Sequence, residues 1–250
     1  MERYLHEHSL LREVVGHRLT ALSGPRSLLV MAAHPVAFAG FFAHTGALDD
    51  PYGRLRRTGR VMDAVAFGTR REAERMTAPV RRAHARVVGE LREDVGRFPA
   101  GTPYRGDDPE LLLWVLAALA ESAMLVFPRA VRPLSREELD SLWQDYREVG
   151  RMFGLQSDEM PADIDAFERY MADMYASGDL FVSGAARELA IDIVMKPPVP
   201  AKYVALRELV NQITVGLLPS GLRRQYRFRW DPLRGAALAG SAEILRRLPV

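Results

Sequence analysis

The 250-residue sequence contains no cysteine. That absence excludes disulfides, iron–sulfur clusters, thiolate-bound or covalently attached haem, and cysteine-rich zinc sites. Any metal must be held by imidazole, carboxylate or another nitrogen or oxygen donor. A large excess of one charge is also lacking: 34 basic residues face 32 acidic ones. The pI of about 9.0 reflects a small surplus and not the basic stripe that nucleic acid requires, so no nucleic-acid partner is expected. Long apolar runs are missing too. The most apolar stretch, "LLLWVLAALAESAMLVF" from Leu111 to Phe127, is interrupted by Glu121 and Ser122. It falls short of the ~20 residues that cross a bilayer and reads as a buried central helix, without a stable membrane span. The opening "MERYLHEHSLLREVV" is charged from its second residue and lacks the apolar centre of a signal peptide, from which a cytoplasmic location is expected. No internal repeat or low-complexity tract is present.

Hydrophobic residues make up 48% of the chain, enough at this length for one sizeable core, so a single domain over residues 1–250 is expected. Helix-start signals recur. Asp50-Pro51 and Asp108-Pro109 each set a capping carboxylate before a proline at the first helical position. Thr69 to Glu72 and Ser135 to Glu138 have the spacing of capping boxes. Apolar residues then follow a helical period, as in Leu139, Leu142, Tyr146, Val149 and Phe153, and in Leu206, Leu209, Ile213 and Leu217. Clusters such as "FPAGTPYRGDDP", "MKPPVP" and "LLPSGL" read as turns. The fold class is therefore all-α, a single-domain multi-helix bundle of about eight to ten helices by ordinary element lengths.

One histidine stands out. In "APVRRAHARVVG", a helix running from Arg70 to about Val95 puts His84 on one face with Val80, Val87, Val88 and Leu91, and points Arg81, Arg82 and Arg86 mostly away. Pro79 should kink that helix or mark a second start. A core histidine bonded to a carbonyl is the ordinary outcome for such a position. In the preceding "DPYGRLRRTGRVMDAVAFG", Arg54, Arg57, Thr58, Val61 and Val65 share one stripe, which the valines assign to the interior. Buried guanidinium groups need partners. Two readings stay open: an anionic ligand such as haem with its propionates, or carboxylates such as Asp63 or Glu121.

Taken together, "RLRRT" (Arg54 to Thr58), "AVAFG" (Ala64 to Gly68) and "VRRAHARVVG" (Val80 to Gly89) resemble the MpaB-type oxygenase superfamily, which includes the latex-clearing (rubber) oxygenases. The likeness continues through "GPRSLLVMAAHP" upstream and "DDPELLLWVLAAL", "FERYMADM" and "TVGLLPSGLRRQYRFRW" downstream, covering roughly Gly16 to Trp230 in family order. The resemblance implies a helical protein with a globin-like core that binds haem b non-covalently, with His84 as the iron ligand and Arg54, Arg57 and Thr58 on the distal side. The chain departs from the family pattern at three places. Leu116 stands where many relatives carry histidine, Val88 replaces a common arginine, and "HPVAFAGFF" offers no glutamate like the base of the rubber oxygenases.

The function expected from this is a haem-dependent oxygenase. It acts on dioxygen and a small apolar or alkene-bearing substrate, with Arg54, Arg57 and Thr58 as both catalytic and cofactor-contacting residues and His84 as the metal ligand. The alternative is a non-catalytic carrier of haem or an apolar molecule, and a third reading is a cofactor-free helical scaffold. No Ser/His/Asp constellation is identifiable, and the paired Glu-x-x-His units of di-iron bundles are absent. His34 and His44 flank "PVAFAGFFA" and read as helix-end residues, while His6, His8 and His17 carry no assigned role. The aromatic and methionine residues of "FERYMADMY" read as core lining or a substrate wall.

Overall fold

A computed structural model describes residues 3–43 and 51–246. It is all-α, with twelve α-helices among the described residues. The first half comprises α1 (Leu10–Gly16), α2 (Ser23–Ala32), α3 (Pro35–Ala43), α4 (Pro51–Phe67), α5 (Arg70–Ala85) and α6 (Pro109–Ala130). The second comprises α7 (Arg136–Phe153), α8 (Ile164–Ala176), α9 (Gly184–Leu189), α10 (Val204–Leu217), α11 (Ser220–Gln225) and α12 (Pro232–Arg246). The count exceeds the eight to ten expected because α1, α9 and α11 span only seven, six and six residues, well below the ordinary helix length on which the expectation rested.

The apolar stretch anticipated as a central helix is α6. Asp108 caps it, its carboxylate accepting the Glu110 N–H at 2.9 Å, and Pro109 takes the first position. Apolar side chains occupy nearly all its faces, and it packs against α2, α7 and α12. Among the described residues it is the one helix long and apolar enough to cross a membrane by length and composition, yet over half of that stretch is buried within the protein.

Both expected capping boxes form, at Thr69 with Glu72 and at Ser135 with Glu138. On α7 the periodic residues Leu142, Tyr146 and Val149 are fully buried, and the helix ends in a left-handed Gly154 (φ 107°). Asp145, also on this buried side, accepts from Ser9 Oγ at 2.7 Å and from the Leu11 N–H at 2.9 Å, tying α1 to α7. On α10 the pattern holds only in part: Ile213 is buried but Leu206 is 53% exposed, because the first turn projects from the body after the proline-rich segment.

The sequence pattern gave no warning of a short antiparallel ribbon. Strands β1 (Val88–Glu90) and β2 (Pro103–Arg105) pair with Gly89 opposite Tyr104. A Cβ on Gly89 would lie 2.5 Å from the Tyr104 hydroxyl oxygen, so the aromatic ring crosses the strand where only glycine leaves room.

Candidate functional site

Helices α4 and α5 form an antiparallel pair joined by a single tight turn. Gly68 sits in that turn because a Cβ there would meet the Ala64 carbonyl oxygen at 2.4 Å. Thr69 then starts α5, its hydroxyl accepting from the Glu72 N–H at 3.3 Å while Glu72 accepts from the Thr69 N–H at 2.8 Å.

The structure corrects the extent of α5. The helix stops at Ala85, one residue after His84, and the chain turns into β1. Val87 and Leu91 are buried as expected, but through the turn and ribbon, with Val36 and Tyr104, and not on a shared helix face. Val88 is 53% exposed. Pro79 neither splits α5 nor begins a second helix. Arg82 and Arg86 face solvent as expected, whereas Arg81 turns inward: it donates to the Met152 carbonyl at 2.6 Å and to the Thr77 hydroxyl at 3.3 Å, fastening α5 to the end of α7.

His84 is half-buried in the last turn of α5 and not sealed in the core. Its ring stacks on Phe153 at the end of α7, centroids 6.4 Å apart and planes at 28°. Its backbone is fixed from below. The carbonyl accepts from the Val87 N–H at 2.9 Å, and a Cβ on Gly106 would fall 2.8 Å from the same oxygen. Nearby, Asp107 pairs with Arg105 at 2.9 Å, which holds its carboxyl below the usual range, with a smaller contribution from His84.

The stripe on α4 divides. Val61 and Val65 are buried, but Arg57 and Thr58 are exposed. Residues 56–60 are exposed, and α4 is next buried at Val61, in a helix that packs against α1. The side chain of Arg54, together with His44 and Asp50, lies outside the described residues. Asp63 is exposed. Glu121, considered as an interior partner for Arg54 or Arg57, is instead held by Arg26 at 2.7 Å, by a residue that the residue-level reading had not singled out. Leu116 is 5% exposed and packs where a Cβ on Gly150 would come within 2.8 Å of it, so this departure from the family pattern fills core space.

His34 occupies a helix end, as expected. It precedes Pro35 at the start of α3, and its Nδ1 accepts the Ala37 N–H at 3.3 Å. Burial is the main force that lowers its pKa to about 4, while Asp179 pulls upward, Arg97 downward and Asp108 weakly upward. The folded value lies below the unfolded ~6.5, so the unfolded chain binds more protons in the interval between them and stability falls as pH drops through it. We expect wild type to lose roughly 2 kcal/mol more than His34→Asn between pH 7 and pH 5 in urea denaturation, since asparagine keeps the helix cap and cannot titrate. Parallel losses in the two proteins would contradict this.

The chain matches the family described as "ER-bound oxygenase mpaB/B'/Rubber oxygenase, catalytic domain" over residues 12–247. It is 28% identical over 122 residues to the uncharacterized protein Rv2237 of Mycobacterium tuberculosis and, to the same degree, to the uncharacterized protein Mb2261 of Mycobacterium bovis. Each match covers 48% of this chain and 44% of the relative, so the chain spans under half the length of the curated relatives it matches. No solved structure matches it. A family match over nearly the whole chain, on a helical body that carries His84 at the end of α5, settles its membership: this protein belongs to the mpaB/rubber oxygenase catalytic-domain family, a family of oxidoreductases.

Proposed function

We propose that the protein is a haem b-dependent oxygenase acting on a small apolar or alkene-bearing substrate, with His84 as the residue that would hold the haem iron. The observation that carries this reading is the presentation of His84, a half-buried imidazole held by the end of α5 and stacked on Phe153. The donor set fits haem better than a bare ion. No group of three or more His, Asp or Glu that could hold a metal occurs among the described residues, and a bare cation needs such a group. A porphyrin brings four nitrogens of its own and asks the protein for one imidazole. When bound, haem supplies the redox chemistry that activates dioxygen.

The chain's own residues supply the rest. His84 orients and anchors. On α4, Arg57 and Thr58 are offered as hydrogen-bond donors where negative charge develops on oxygen, with Arg54 as a further donor. Arginine cannot accept a proton at neutral pH, so none of these guanidinium groups acts as a general base. Arg57 and Thr58 are exposed, which in this reading puts them at the edge of the site and not in a sealed chamber. That same exposure favours a second reading, a carrier that binds haem without catalysis.

The two readings separate in one experiment. Haem-loaded protein is incubated under air with an alkene such as squalene, and oxygen uptake and carbonyl products are followed. An oxygenase consumes oxygen, and Arg57→Ala with Thr58→Ala lowers turnover about 100-fold or more while leaving haem absorbance intact, as loss of preorganised donors does elsewhere. A carrier shows the absorbance and no substrate-dependent uptake.

A further inference from the structure

A concavity of about 390 Å³ lies between the start of α3, strand β2, the start of α6 and the end of α8. Its lining includes neither His84 nor Arg57 nor Thr58. Aromatic and apolar side chains on its walls include Phe98, Tyr104, Trp114, Tyr170 and Met174, alongside a comparable polar surface. Tyr170 and Met174 come from the "FERYMADMY" segment, whose remaining periodic residues Phe167 and Met171 are buried in the core.

The imidazole of His34 is one polar feature set among these rings. It is 8% exposed, with its centroid 5.4 Å from Phe98 and 6.3 Å from Trp114. Nδ1 accepts the Ala37 N–H, so the neutral ring carries its proton on Nε2. Nε2 has no partner among the described residues. His34 lines a space large enough for an organic molecule to supply an acceptor to that N–H.

The charges around the opening narrow the ligand. Asp108, Glu110 and Asp179 face a single guanidinium, Arg97, and together repel an anion. Asp179 is already paired with Arg97, and Asp108 is engaged in capping α6. An N–H donor at the buried imidazole offers nothing to a cation.

We propose that this cavity binds a neutral organic molecule with an aromatic or aliphatic body and a carbonyl or hydroxyl oxygen that accepts from His34 Nε2–H. The assignment stands apart from the haem reading. It holds whether or not His84 binds iron.

The test is calorimetric titration of the full chain with 2-acetylnaphthalene, its hydrocarbon analogue 2-isopropylnaphthalene, and the anion 2-naphthoate. Wild type should bind the ketone saturably at one site, the hydrocarbon more weakly and the anion least. His34→Asn keeps the α3 cap and withdraws the Nε2–H, its shorter amide ending nearer the backbone, so ketone binding should weaken about tenfold with the hydrocarbon unchanged. Met174→Trp fills the space and should weaken both neutral ligands, while His84→Ala should weaken neither. Absence of saturable binding to wild type, preference for naphthoate, or equal weakening of ketone and hydrocarbon by His34→Asn would each overturn the proposal.

Discussion

His84→Ala should abolish most of the Soret absorbance that wild type gains on titration with haemin, and free imidazole added to the variant should restore it. The argument rests on what the substitution removes and what it leaves. His84 is half-buried, and its stacking on Phe153 contributes about 1 kcal/mol, so the fold survives its loss. Far-UV circular dichroism should be unchanged. The ligand bond cannot be replaced so easily. His17 accepts from the Leu19 N–H to cap the turn that follows it and lies 6.2 Å from the Phe127 ring, and His34 is committed through Nδ1 to α3. His6 and His8 are exposed at the start of the chain. Recovery with imidazole separates a missing ligand from a collapsed site. Unchanged haem occupancy in His84→Ala would remove the central assignment.

The reach of sequence reasoning follows the range of the interactions involved. The caps at Thr69, Asp108 and Ser135 depend on residues two or three positions apart, and each forms as its spacing implies. The burial of α6 follows equally directly, since a helix apolar on all sides has no face to give to water. The end of α5 depends on something remote. Val87 and Leu91 continue a helical spacing past His84, but the partner that draws the segment between them into a strand is Pro103 to Arg105, across a loop whose length and register no local pattern encodes. His84 accordingly emerges at a helix terminus and half in solvent, where the pattern put it mid-helix and inside.

Arg57 and Thr58 depart from the stripe for a related reason. Stripe analysis assumes that a face buried at one end stays buried along the whole helix. Here Val61 and Val65 pack inward, while Arg57 and Thr58 continue their stripe beyond the body. A guanidinium left in water avoids the desolvation that burial would impose. Glu121 was legible as an interior acid. Its actual partner, 95 residues away on α2, was not.

That partner sets the largest expected stability effect. Arg26 is 1% exposed and uses all three guanidinium nitrogens: Nε donates to the Leu217 carbonyl at 2.9 Å, Nη1 to Ser122 Oγ at 2.8 Å, and Nη2 to Glu121 Oε2 at 2.7 Å. The Tyr175 hydroxyl donates to the same Glu121 oxygen at 2.5 Å, and burial followed by the charge of Glu121 raises its pKa. One side chain thus joins α2, α6 and the end of α10, while Tyr175 brings in α8. Arg26→Met leaves Glu121 an ionised carboxylate with one neutral donor, and Glu121→Leu leaves a buried guanidinium without its counter-charge. Each single change should cost about 3–5 kcal/mol, read as a lowered urea midpoint. The pair itself has already lost most of its Coulomb gain to desolvation, so the energy at stake is mainly that of a stranded charge. Arg26→Met combined with Glu121→Leu strands neither, and should be markedly less destabilised than the sum of the two singles, with a coupling of about 2 kcal/mol or more. Additive losses would mean that the two residues act through packing alone and that the ion pair does not organise this junction.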